Sequence, residues 1–158
     1  MMATEVTRRR YRPEVPGIDY GVLARLGGFA VRRAQLVITE AFDADMQAYG
    51  LTTQRFSALV LIACNPGIRQ TDLAGILGIA RSGVVVLVAA LEEAGLVQRS
   101  SVDGDRRAAA LRVTRSGESR LPEIIARVEA HDAAMFGTFS GAQVEQLADL
   151  LRRIGRSG

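Results

Sequence analysis

Lysine and tryptophan are absent from this chain of 158 residues, and cysteine and histidine occur once each, as Cys64 and His131. These shortages exclude much chemistry. One cysteine permits no internal disulfide framework and no cysteine-rich zinc site. One histidine, one cysteine and no lysine leave few ways to assemble a nucleophile with its base, and no phosphate loop, metal cluster or nucleophile elbow occurs. Neither a cofactor, a resident metal nor an enzymatic activity is therefore expected. No apolar run reaches the roughly 20 residues of a membrane span, so no membrane partner is expected. The N-terminus carries no signal-peptide block, which points to the cytoplasm.

What is present is the composition of a globular chain, 48% hydrophobic and 23% charged, long enough for one domain or one domain with extensions used for association. All 20 basic residues are arginine. Arginine offers fork-shaped contacts to phosphate and guanine, although a genome favouring arginine codons is the plainer explanation. The net charge of +3 is unevenly placed. Arg8, Arg9, Arg10 and Arg12 against Glu5 make residues 1–12 a local +3, so the remainder sums to zero. Within that remainder, residues 97–120 hold six arginines against Asp103, Asp105 and Glu118, a second local +3. Charge placement, not net charge, carries any argument for a nucleic-acid partner.

Turn and cap signals divide the chain. Residues 1–19, basic and holding Pro13, Pro16 and Gly17, read as a flexible arm, either disordered or making nonspecific phosphate contacts. A helix is predicted over about 20–49 with Gly50 as its stop, and another over 53–64 capped by Thr52 and ended by Asn65-Pro66-Gly67. A short helix over 70–77 ends at Gly78, and a further helix over 81–94 ends at Gly95. Asp103-Gly104 between two strand-like runs signals a hairpin, with Arg106 and Arg107 beside its tip. Thr114 can cap a long helix to about 139, and Ser140 with Gln143 forms a capping box for a last helix over about 142–154. Short helix, Gly-containing turn and second helix make a helix-turn-helix, and the hairpin directly after it makes a wing.

The chain resembles the MarR family of transcriptional regulators. The resemblance lies in Leu51-Thr52-Thr53-Gln54-Arg55-Phe56, Gln70-Thr71-Asp72-Leu73-Ala74, Leu91-Glu92-Glu93-Ala94-Gly95-Leu96-Val97 and Leu111-Arg112-Val113-Thr114-Arg115-Ser116-Gly117, and it extends over about residues 20–155. It implies a mainly α fold with a small β-hairpin wing: a winged helix-turn-helix lobe over 51–114 for double-stranded operator DNA, and a helical dimerisation region from 20–50 and 115–158. It further implies a homodimer, commonly a repressor, that releases a palindromic operator when a small aromatic acid or its coenzyme A thioester binds. Under this resemblance residues 81–94 form the recognition helix. Arg81, Ser82 and Val85 would then face base edges in the major groove, and Gln70 and Thr71 the DNA backbone. Arg106 is expected in the minor groove, and Arg107 is expected to brace the wing against Asp103 or Asp105.

One departure from the family pattern matters. After Arg81-Ser82 the recognition helix runs Gly83-Val84-Val85-Val86, where family members carry hydroxyl and basic residues. Valine can touch a thymine methyl but cannot hydrogen-bond a base. Base readout by hydrogen bonds is therefore sparse, and affinity leans on the wing, backbone contacts and DNA shape. The alternative is a winged-helix protein whose DNA readout is weak or lost and which acts through protein interaction.

The resemblance implies that the first helix lines the family's effector cleft, and a helical wheel singles out its arginines. Val22, Leu26, Phe29 and Val37 cluster within roughly 80° at 100° per residue, and Arg33 falls among them. A charge on an apolar face needs a partner: Glu40, an acid of a second subunit, or an effector anion. Arg32, on the polar face, could join Arg33 around a large anion such as a coenzyme A thioester. His131 could sense pH or contact the effector, or be an ordinary surface or interface histidine. Cys64, beside Ile62 and Ala63, is expected in the core. Val144, Leu147, Leu151 and Ile154 on the last helix, with Leu121, Ile124, Ile125 and Val128 before them, exceed what a small lobe can bury and suit dimerisation.

Overall fold

The structure, a computed structural model, describes residues 14–102 and 105–155, with the backbone alone for 101, 102 and 105–109. The chain falls into two compact units, one ending at Glu118 and one beginning at Ser119. In order, the elements are α1 (Gly27–Asp45), α2 (Thr53–Cys64), β1 (Ile68–Arg69), α3 (Gln70–Leu77), α4 (Arg81–Glu93), β2 (Val97–Val102), β3 (Asp105–Val113), α5 (Arg115–Met135) and α6 (Gly141–Arg153). The fold is thus mainly helical with one small antiparallel sheet. Among the described residues no single helix is long and apolar enough to cross a membrane.

Local chemistry explains most boundaries. The Thr52 hydroxyl accepts from the Arg55 amide at 3.3 Å and starts α2. Ser140 and Gln143 exchange side-chain and backbone bonds at 2.8 and 3.3 Å, the reciprocal cap that starts α6. Gly78, at φ 64°, closes α3 in the left-handed region that a side chain rarely adopts. Two boundaries differ from expectation. The helix expected over 20–49 is three pieces: a 3-10 turn over Gly21–Arg25, α1, and a second 3-10 turn over Gln47–Tyr49. Leu26 is extended at ψ 117°, and Gly27-Gly28 after it hold the backbone weakly, so the helix restarts there. The long helix ends at Met135 rather than 139, with Gly137 just beyond it.

The lobe core is made by the inward faces of α2, α3 and α4 against the sheet. Leu59, Ile62, Leu73, Val84, Val88, Leu96 and Leu111 are all fully buried. The sheet has the order β1-β3-β2, so β3 is central. Its Leu111 pairs with Ile68 on one side and Arg99 on the other. The strand β1, only two residues long, is beyond what periodicity can signal, and it converts the expected hairpin into a three-stranded sheet. Val102 pairs with Asp105, and the Asp103-Gly104 signal lies outside the described residues.

Thr114 ties the sheet to both neighbouring helices. Its hydroxyl donates to the Gly95 carbonyl at 2.5 Å and accepts from the Gly117 amide at 2.9 Å, and its own amide donates to the Leu96 carbonyl at 3.0 Å. The end of α4, the root of the wing and the start of α5 therefore meet at one residue.

Gly83 lies inside α4, where a Cβ would sit 3.8 Å from the Ile79 Cδ1, an ordinary contact. Nothing in the lobe requires glycine there. Gly83→Ala should raise stability by about 1 kcal/mol through helix propensity, read as a higher midpoint in denaturant. A lower midpoint would show that α4 needs that glycine.

Candidate nucleic-acid interface and anion site

The helix-turn-helix is α3 and α4, whose axes are bent by 108° across Gly78–Ala80, within the usual range for the motif. α4 presents two opposed faces. Val84, Leu87, Val88 and Leu91 are buried, and Arg81, Ser82, Val85, Val86 and Ala89 are exposed. Val85 and Val86 are 48% and 68% exposed. The expected DNA-facing residues Arg81, Ser82 and Val85 thus share one solvent face. Of the two expected backbone contacts at the start of α3, Thr71 is exposed and Gln70 half-buried.

Neither motif helix has a side-chain cap. Ala80 and Arg69 occupy the N-cap positions of α4 and α3, both extended, with no side-chain bond. The first N–H groups of α4 are left for solvent or a phosphate oxygen, and the helix dipole favours the anion. Arg69, Arg81, Arg112 and Arg115 are exposed, and Arg99 is tied to Glu92 at 3.3 Å.

Of the wing residues singled out by sequence, Asp103 lies outside the described residues. Asp105, Arg106 and Arg107 are the first three residues of β3, and their side chains lie outside the described set. The pairing register shifts between Ser101 and Val102.

Arg32 and Arg33 both lie on α1, Arg32 exposed and Arg33 with a side chain 24% exposed. The wheel that placed Arg33 among apolar residues joined pieces that are not one helix, and Val22 and Leu26 are 58% and 47% exposed. The surroundings of Arg33 are nonetheless apolar. Its guanidinium carbon lies 5.4 Å from the Tyr20 ring centroid and 5.6 Å from that of Phe29, and the two rings are 6.2 Å apart. Glu14 approaches it at 3.7 Å from a carboxylate 85% exposed. A guanidinium held against two aromatic faces is a cation suited to a planar anionic ligand. Tyr20 and Phe29 were not legible as its neighbours, since the break at Leu26 brings them together.

His131 is half-buried on α5 in the second unit. Cys64, expected in the core, is exposed. It ends α2 two residues past Ile62, about 200° around the helix from the buried face.

Comparison with known proteins gives a consistent result. Residues 49–108 match the sequence model of the MarR family. A transcriptional regulatory protein of Thauera aromatica, assigned to the hcr operon, is 33% identical over 138 residues, covering 87% of this chain and 83% of that protein. The repressor CouR, solved bound to a 23-mer DNA duplex, superposes with a TM-score of 0.82 at 34% identity, covering 88% of this chain and 99% of CouR. CouR of Rhodococcus jostii RHA1 bound to p-coumaroyl-CoA superposes with a TM-score of 0.73 at 30% identity, covering 86% and 96%.

Proposed function

Because the chain belongs to the MarR family of transcriptional regulators, which are not enzymes, we propose that it is a homodimeric repressor that leaves its operator when a small anionic effector binds. The observation that carries this reading is the lobe itself: an uncapped α4 with an open face, followed by an arginine-bearing wing. The likeness to CouR bound to DNA supports it. As a DNA-binding regulator it would act in the cytoplasm.

In this reading α4 enters the major groove with Arg81 and Ser82 leading, while Gln70 and Thr71 set the register on the backbone. Arg106 enters the minor groove, and Arg107 holds the wing against Asp103 or Asp105. Arg106→Ala is expected to weaken operator binding about tenfold and to reduce the salt dependence by about one phosphate contact. Unchanged affinity in a fluorescence-anisotropy titration would remove the wing from the account.

The effector is an aromatic acid or its coenzyme A thioester. Arg33, set against Tyr20 and Phe29, supplies the cation, with Arg32 added for a phosphate-bearing ligand. The support is the Arg33 guanidinium set against the Tyr20 and Phe29 rings and the p-coumaroyl-CoA complex of CouR. A thermal-shift panel of aromatic acids and their thioesters tests it. A saturating ligand at about 100 times its Kd stabilises by about 2.7 kcal/mol, and Arg33→Ala should abolish that shift. A variant that keeps the shift and loses only stability assigns Arg33 to structure.

The second reading, a winged helix that has lost DNA readout and docks protein, is favoured by the apolar α4 face alone. It predicts no DNA binding at low salt.

A further inference from the structure

The exposed face of α4 carries hydrogen-bonding groups only at its leading end. Arg81 and Ser82 occupy the first turn, and Val85, Val86 and Ala89 follow, all open to solvent. These five positions span about 140° of the helical wheel. They cover about 12 Å along the axis, three to four base pairs. Glu93, also exposed, closes the face at its far end, where a carboxylate would oppose phosphate. The apolar stretch is therefore short and bounded, with a cationic entrance and an anionic exit.

We propose that α4 reads its operator through thymine 5-methyl groups, contacted by Val85 and Val86, and not through hydrogen bonds to bases beyond Ser82. This deepens the repressor reading and rests on it. In the major groove only thymine offers an apolar group; every other base edge there presents donors or acceptors. A valine set against such an edge would leave it desolvated and unpaired, which disfavours those bases. Set against thymine, the same valine buries a methyl on both sides. Specificity thus arises from one attraction and several penalties. The occupant is DNA because the same face begins with Arg81 and an uncapped helix start, both suited to phosphate.

The experiment begins with selection of duplexes from a randomised library by the full-length chain. Selected half-sites are expected to be rich in thymine at adjacent positions. Uracil then replaces thymine at those positions, which removes the methyl groups and leaves the protein and every base pair intact. Binding should weaken about fourfold per methyl removed, and uracil outside the half-sites should change nothing. Val85→Ala with Val86→Ala, both at exposed positions, should erase the difference between thymine and uracil duplexes. Equal affinity for both duplexes overturns methyl readout while leaving the repressor reading in place. Failure to select any duplex above background overturns both.

Discussion

Gly117→Ala should lower the thermal midpoint by about 10 °C. Gly117 is the third residue of α5, buried beneath the root of the wing. A Cβ there would overlap the Leu96 carbonyl oxygen and the Val113 Cγ1. The first of these is backbone and cannot rotate away. That carbonyl also accepts the Thr114 amide, and Leu96 itself is fully buried. Relief therefore requires moving the junction of α4 and β2, which joins recognition helix to wing. Overpacking against backbone costs about 3 kcal/mol or more, and in a chain of this length each kcal/mol shifts the midpoint by about 2–4 °C. Gly83→Ala is the matched control, since its Cβ meets only the Ile79 side chain at ordinary contact distance. A Gly117→Ala variant as stable as the parent would mean that the lobe yields there at no cost.

The second large effect concerns α6. This helix buries none of its residues, and Leu147, Leu150, Leu151 and Ile154 are 37%, 51%, 43% and 67% exposed. An amphipathic helix with its apolar side in water lacks a partner surface. In the proposed homodimer the second copy supplies it. Leu151→Asp would place a carboxylate on that apolar face, where burial against the second copy would cost its hydration. The mass in sedimentation should fall from two copies to one at micromolar concentration. Operator affinity should fall by a factor of about 100 or more, because two tethered lobes gain from effective concentration and separated lobes do not. A variant that stays dimeric and binds normally would place the dimer contact elsewhere.

The lobe was legible because its punctuation is local. Thr52, Gly78, Gly95, Thr114 and the Ser140–Gln143 pair each act within a turn of the chain, and the helices they bound begin and end within a residue or two of where those signals fall. The segment around Leu26 was not legible. Its apolar spacing continues smoothly through Gly27-Gly28, and only the extended backbone at Leu26 breaks the phase. For the same reason the sequence indicated that Arg33 sits among apolar residues but not that Tyr20 and Phe29 are those residues. β1 is too short for any period, and its pairing with β3 is tertiary. Cys64 was misplaced because neighbouring apolar residues suggested burial, whereas its angular position on α2 decides exposure.

In the proposed reading the lobe grips DNA by α4 and wing together. The most direct test is a salt titration of the full-length chain on the DNA upstream of its own coding sequence, with and without an aromatic coenzyme A thioester. The account predicts an affinity that falls linearly with the logarithm of salt concentration, as released counterions require, and that collapses when the thioester is added. No binding at low salt, or binding indifferent to every thioester tried, would contradict it.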